Sequence, residues 1–184
     1  MSQNNAPPSN IAILAALSGT MGTIQAEKAA TEMPPDGTYQ LVVSAMRTAD
    51  GTVKIGPEGN QMEIPSLRVS FKFDMVPDAP GLPATDSFWG AGFDLVPPTA
   101  MQSIPDGDAY KGRKQALEIN LRRFKGHLEV LSGTPVAADG SNFLAVFQAV
   151  QNTIASNRSL RVEAVIKRNK SGKYPTETLS KLIV

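Results

Sequence analysis

Cysteine is absent from this 184-residue chain, and histidine and tryptophan occur once each. Without cysteine there is no disulfide framework, no thiol nucleophile and no thiolate-held zinc. The lone histidine, His127, lies beside Leu128 in a basic helical stretch with no Ser or Asp at motif spacing. It reads as a surface or packing residue rather than a general base. Asp106 and Asp108 are separated by one residue, and Asp74, Asp78 and Asp86 are scattered, but no Asp-x-Asp-x-Asn-Gly cation loop is formed. Gly90, Gly92 and Gly112 lead into no Gly-Lys-Ser or Gly-Lys-Thr, and Ser171-Gly172-Lys173 is followed by Tyr174. The latter reads as a hairpin turn, not a phosphate loop. No apolar run approaches the roughly 18–20 residues of a membrane helix. The apolar stretch 11–17 has no basic residue before it, against a secretory signal. The expectation is a cytoplasmic protein, not an enzyme, with no cofactor and no membrane partner.

What the chain does have is charge sorted along its length. Residues 34–109 carry four basic and ten acidic residues, a net of −6, whereas residues 110–184 carry thirteen basic and five acidic, a net of +8. The total of +1 conceals this division. A cationic part in a protein of this kind points to a polyanion partner, most often nucleic acid.

Residues 1–33 read as a flexible leader, with a short helix allowed over 11–17 and a stop at Ser18-Gly19. Pro34-Pro35-Asp36-Gly37 is a turn signal that opens the domain, residues 34–184. The spacing predicts a strand over 38–46, with Tyr39, Leu41, Val43 and Ala45 on one face, then a turn-rich connection over 48–62. Leu67, Val69, Phe71, Phe73 and Met75 alternate with Arg68, Ser70, Lys72 and Asp74, a half-buried strand. A third strand is predicted over 87–96, where Gly90 and Gly92 mark a bulge or a close backbone approach. Leu117, Leu121, Phe124, Leu128 and Leu131 define an amphipathic helix over 110–131, closed by Gly133 and Pro135. A second helix follows over about 142–155, with Ser141 as N-cap. A hairpin ends the chain, with strands over 160–168 and 174–184 and a turn over 169–173. Three strands, a two-helix insertion and two strands make a mainly β, α+β chain in the order of an OB-fold, a small five-stranded, partly open barrel.

The residues with binding chemistry fall on three of these elements. The closing hairpin holds Arg161, Lys167, Arg168, Lys170 and Lys173 with Tyr174 beside them. Cations there attract phosphates, and an aromatic among them offers a face to a base. Arg68 and Lys72 occupy the wet face of the second strand, where an OB-fold receives its ligand. Lys54 lies in a hairpin loop that is a further place to look. On the third strand Trp89 shares a face with Ala91, Phe93 and Leu95 and is expected in the core, which leaves Phe88 as the exposed partner. Both are stacking candidates. Arg113, Lys114, Arg122, Arg123 and Lys125 on the helix add charge if helix and hairpin share a face.

Taken together, Pro35-Asp36-Gly37-Thr38-Tyr39, the strand 67–73, Asn120-Leu121-Arg122-Arg123-Phe124-Lys125 and the closing Arg161-Val162-Glu163, Lys173-Tyr174 and Ile183 resemble the OB-fold single-stranded DNA-binding proteins of bacteriophage replication modules. The likeness covers about residues 34–184. It implies sequence-tolerant binding of single-stranded DNA, or RNA, in the host cytoplasm, protection of replication or recombination intermediates, and replication or recombination proteins or further copies of the chain as partners. Many such proteins end in an acidic recruiting tail, whereas no acidic residue follows Glu177 here. The alternative is a phage or viral structural or assembly protein that acts through protein contacts.

Overall fold

The computed structural model describes residues 10–23, 37–76, 87–90, 92–156, 160–168 and 175–183. The turn expected over 169–173, with Lys170 and Lys173, lies outside these residues, as does Tyr174. The elements are α1 (Asn10–Thr23), β1 (Thr38–Ile55), β2 (Met62–Met75), β3 (Ser87–Trp89), β4 (Phe93–Leu95), α2 (Pro98–Gln102), α3 (Asp108–Ser132), α4 (Phe143–Ala155), β5 (Leu160–Arg168) and β6 (Pro175–Ile183). The strands form one curled antiparallel sheet, a half-barrel, in the order β3-β2-β1-β5-β6. Because β4 also pairs with β2, β3 and β4 together fill one of five strand positions.

The inner face of the sheet is set by the period-two pattern. Leu67, Val69, Phe71 and Phe73 of β2 pack with Leu41 and Val43 of β1, Phe93 and Leu95 of β4, and Val162 and Ala164 of β5. Helices α3 and α4 close over them through their apolar sides, Leu121, Phe124, Leu128 and Leu131 with Phe143, Phe147, Val150 and Ile154. Aromatic contacts run through this core from Phe71 to Phe93 at 6.3 Å, to Phe124 at 5.5 Å and on to Phe147 at 6.2 Å. Helix α3 ends at Gly133, which takes the left-handed conformation at φ 64°.

The first hairpin is longer than its sequence implies. β1 runs on to Ile55, and β2 begins at Met62. Asp50-Gly51 pairs with Leu67 and Ser66 inside the ladder instead of forming a turn. The turn falls over 56–61, where the Asn60 amide donates to the Pro57 carbonyl at 3.0 Å. The far end of this hairpin is a two-stranded ribbon, which twists more than a wide sheet. Its buried positions become Val53, Ile55 and Ile64, and these form a second small core with Val96, Ile104 and Leu117.

The leader contributes to the core. Residues 10–23 form one helix through Gly19 and Gly22, and Ile13, Leu14, Leu17 and Met21 are buried with the residues of α3, α4 and the sheet. Two close backbone approaches seat it. The Cα of Gly22 lies against the Ala138 carbonyl, and that of Gly140, at φ 71°, lies against the Ser18 carbonyl. Any side chain at either position would overlap backbone. A fully docked α1 has a measurable consequence. Leu17→Ala is expected to lower unfolding free energy by about 2–5 kcal/mol, read as a lower urea midpoint, whereas a loose leader would leave the midpoint unchanged.

Candidate nucleic-acid interface

The outer face of the sheet carries the side chains that alternate with the core. On β2 these are Arg68, Ser70, Lys72 and Asp74, and on β5 they include Arg161, Glu163 and Lys167. Register fixes their neighbours. Lys72 lies between Ala45 of β1 and Trp89 of β3, and Arg68 between Ala49 of β1 and Asp94 of β4. Val42 lies between Asp74 and Arg161. Arg161 is thus about 10 Å from the line of β2, two strand spacings away. Lys167 is six residues further along β5, roughly 20 Å from Arg161, and pairs with Thr176 beyond the end of β1. Lys72 and Trp89 therefore lie side by side, with Arg68 roughly 13 Å along β2 to one side and Arg161 two strands across from Asp74 on the other, and Lys167 lies at the far end of the same face. The backbone of Arg168 pairs with Pro175 and that of Phe88 with Phe73; the side chains of Arg168 and Phe88 lie outside the described residues.

Trp89 is not in the core. It is 38% exposed on the outer face, while Phe93 and Leu95 are buried. The strand expected over 87–96 is broken at 90–92, where Gly92 adopts φ 75°. The break changes which parity faces outward, so Trp89 and Phe93 end on opposite sides. The joint bends over β2: a Cβ on Gly92 would lie 2.8 Å from Ser70 Oγ and 3.3 Å from the Arg68 guanidinium.

One outer-face residue was missed by the pattern. Arg47 has the same parity as Tyr39, Leu41 and Val43, which places it inside in an unbroken strand. The register shifts between Val43 and Ala45, however, and Ala45 and Arg47 emerge opposite Lys72 and Ser70. The Arg47 guanidinium carbon lies 4.2 Å from the centroid of the Trp89 ring. Its side chain thus crosses β2 to reach β3. The available signal was an arginine at an apparent core position, which itself argues for a bulge.

Carboxylates are interspersed with these cations. Arg68 pairs with Asp94 at 3.0 Å, Lys72 with Asp74 at 4.0 Å and Lys181 with Glu163 at 3.3 Å. The ion pair Lys54–Glu63, at 3.2 Å, occupies the remote end of the first hairpin.

The helix cations do not join this face. Helix α3 covers the inner side of the sheet, so exposed Lys111, Arg113 and Arg122 lie on the opposite side from Arg68 and Lys72. Lys114 pairs with Asp106 at 3.0 Å. Lys125 is buried and faces Glu129 at 3.9 Å. Arg123 is half-buried and donates to the Glu177 carbonyl at 2.9 Å, with its guanidinium 5.6 Å from the Phe93 ring centroid.

Glu177 marks the seam of the half-barrel. It is fully buried on β6, yet its carboxylate lies against Gly90, in the joint that follows β3 at the other end of the strand order. His127 closes the seam from α3. It is 2% exposed, stacked 6.1 Å from Phe71 and edge-on to Phe93 at 4.8 Å. Its Nδ1 lies 2.9 Å from the Arg123 carbonyl. A carbonyl only accepts, so Nδ1 carries the proton and the neutral ring turns the Nε2 lone pair towards Glu177 Oε1, 3.9 Å away. Burial, the dominant cause, lowers the His127 pKa to about 3; the hydrogen bond to Arg123 opposes the shift and the Arg123 charge adds to it. Among the described residues no group of three or more His, Asp or Glu side chains is placed to hold a metal ion, and no helix is long and apolar enough to cross a membrane.

Compared with known proteins, the chain matches no family, no curated protein and no solved structure at a significant level.

The histidine makes stability pH-dependent with a definite sign. Unfolded, its pKa is near 6.5; folded, it is about 3. Between those values only the unfolded chain takes up the proton, so His127's contribution is intact above pH 6.5 and is lost as pH falls towards 3. Unfolding free energy should drop by about 1.6 kcal/mol between pH 6.5 and 5 from this group alone. Urea titrations at the two pH values measure the drop, and His127→Gln should remove it.

Proposed function

We propose that the chain binds single-stranded nucleic acid, DNA foremost, through the outer face of its sheet without strong sequence preference. The observation that carries this reading is an exposed tryptophan with Arg47 stacked on it and Lys72 paired across from it, on a face that also carries Arg68 and Arg161. Phosphate-tracking cations next to an aromatic ring are the two parts of a sequence-tolerant single-strand site. A duplex keeps its bases stacked inside and offers Trp89 nothing to stack on. The strand order, with α2, α3 and α4 between β4 and β5, supports reading the half-barrel as an OB-fold. That fold presents such a face to oligonucleotides. The role that follows is cover for exposed single strands during replication or recombination.

The interspersed carboxylates fit a binding role. Exposed ion pairs contribute only about 0–1 kcal/mol each, so an incoming phosphate displaces Asp94, Asp74 or Glu163 at little cost. Until then the pairs hold the cations extended along the strands.

A salt titration of oligonucleotide binding tests the reading. Log affinity should fall linearly with log salt concentration, with single strands preferred over double. Lys72→Glu and Arg161→Glu should each weaken binding by roughly tenfold at low salt, while Arg113→Glu on the far side of α3 should leave it unchanged. Absence of binding at about 50 mM salt rejects the reading and leaves the face to protein contacts.

A further inference from the structure

The contact between Arg47 and Trp89 asks for more explanation than a surface cation–π pair needs. Arg47 starts on β1, and Trp89 stands on β3, so the side chain spans the intervening strand. Such a contact contributes about 0.5–1 kcal/mol at an exposed site, and a long side chain loses rotamer freedom in making it. Both partners reach the outer face only through backbone irregularities, the register shift after Val43 and the break at 90–92. Trp89 remains 38% exposed beneath this contact, and a bare indole on a free surface costs solvation.

We infer that Arg47 is a positioning residue that holds the Trp89 indole as a preset platform, and that one unpaired base stacks on it while Lys72 and Arg68 receive the adjoining phosphates. The inference rests on the single-strand reading above and deepens it by assigning the base its place. A guanidinium at 4.2 Å backs one part of the ring and fixes the orientation of the rest, which reduces the ordering that a base must impose when it binds. Lys72 stands directly across the ladder from Trp89, and Arg68 is two outward positions along β2. A base on the indole therefore has cations on the β2 side of it, roughly 13 Å apart with Ser70 between them. Arginine suits the task where lysine does not, because its plane stacks on the ring.

Trp89 is the only tryptophan in the chain, so its fluorescence reports on this site alone. The experiment titrates the full chain with oligothymidylate of roughly 15 nucleotides, following tryptophan emission and, in parallel, the anisotropy of a labelled oligonucleotide. Quenching that saturates together with the anisotropy is expected. Binding by anisotropy with unchanged emission overturns the platform and leaves the single-strand reading intact. No binding by either signal overturns that reading and the platform with it. Trp89→Ala should weaken binding by about ten- to a hundredfold. Arg47→Lys keeps the charge and loses the planar group. It should weaken binding severalfold, reduce the quenching and leave the salt slope unchanged. If Arg47→Lys binds and quenches as the parent does, Arg47 is a phosphate contact only and the inference fails. Both positions lie on the outer face, and unchanged circular dichroism melting of each variant shows that folding is retained.

Discussion

A buried imidazole and a buried carboxyl group sit where the two ends of the sheet meet, and the shape of the molecule depends on that meeting. An open sheet would leave β3 and β6 as edges with unpaired backbone groups. Here the curl brings the carboxylate of Glu177 against Gly90, the one residue type with no side chain to obstruct it. Arg123 ties α3 to β6 by donating to the Glu177 carbonyl, and His127 fills the gap between Phe71 and Phe93. Because desolvation keeps the imidazole neutral, the contact to Glu177 is not an ion pair at neutral pH. Its geometry is held instead by packing and by the bond from Nδ1 to the helix backbone. A buried polar group without a partner costs free energy, and among the described residues none hydrogen-bonds His127 Nε2, so the seam holds this nitrogen at a cost in stability.

Curvature of this kind makes the outer face convex, and outward side chains on a convex sheet splay apart. Two local irregularities counter that spreading. The extra residue after Val43 turns Arg47 outward, and the break at 90–92 turns Trp89 outward. In an unbroken strand each would face the core. Bulges that re-aim a side chain are characteristic of sites with a role beyond packing. Two of them converging on one contact is more than either alone would suggest, and that convergence is why the proposed site centres on Trp89 and not on the closing hairpin.

The same irregularities mark the boundary of what the sequence makes legible. The alternation identifies β2, and over 67–74 its inner and outer faces are those that the pattern assigns, with Ser70 covered beneath Gly92. The leucine and phenylalanine spacing of α3 and the end at Gly133 are equally plain, because amphipathic periodicity and a left-handed cap are local properties. Asp50-Gly51 misleads, since a turn signal gives way when a long ladder continues on both sides of it. The leader shows its helix over 11–17 but hides the extension past Gly19 and the docking, for a different reason. α1 has small or apolar residues on its exposed side as well and owes its place to a tertiary slot between Ser18, Gly22 and the α3–α4 connection, which no local pattern encodes. Arg68, Lys72 and Arg161 are legible as outward cations; their company with Arg47 and Trp89 depends on register shifts, which are not.

Charge sorted along the chain is not charge sorted on the surface. The acidic stretch supplies Arg47, Arg68 and Lys72 to the outer face, and the basic stretch supplies Arg161, Lys167 and Lys181. Meanwhile the helix, which holds six of the basic residues that create the imbalance, directs some away from the sheet and engages Lys114, Arg123 and Lys125 in contacts of its own. The field that a polyanion would meet is therefore modest, and the intervening carboxylates of Asp74, Asp94 and Glu163 weaken it further. Strong fields favour any polyanion, duplex included, because duplex carries the denser charge. A modest field beside an exposed ring shifts the balance to ligands that can also stack. On the proposed reading, the electrostatics of this face would admit nucleic acid, and the aromatic contact would choose its single-stranded form.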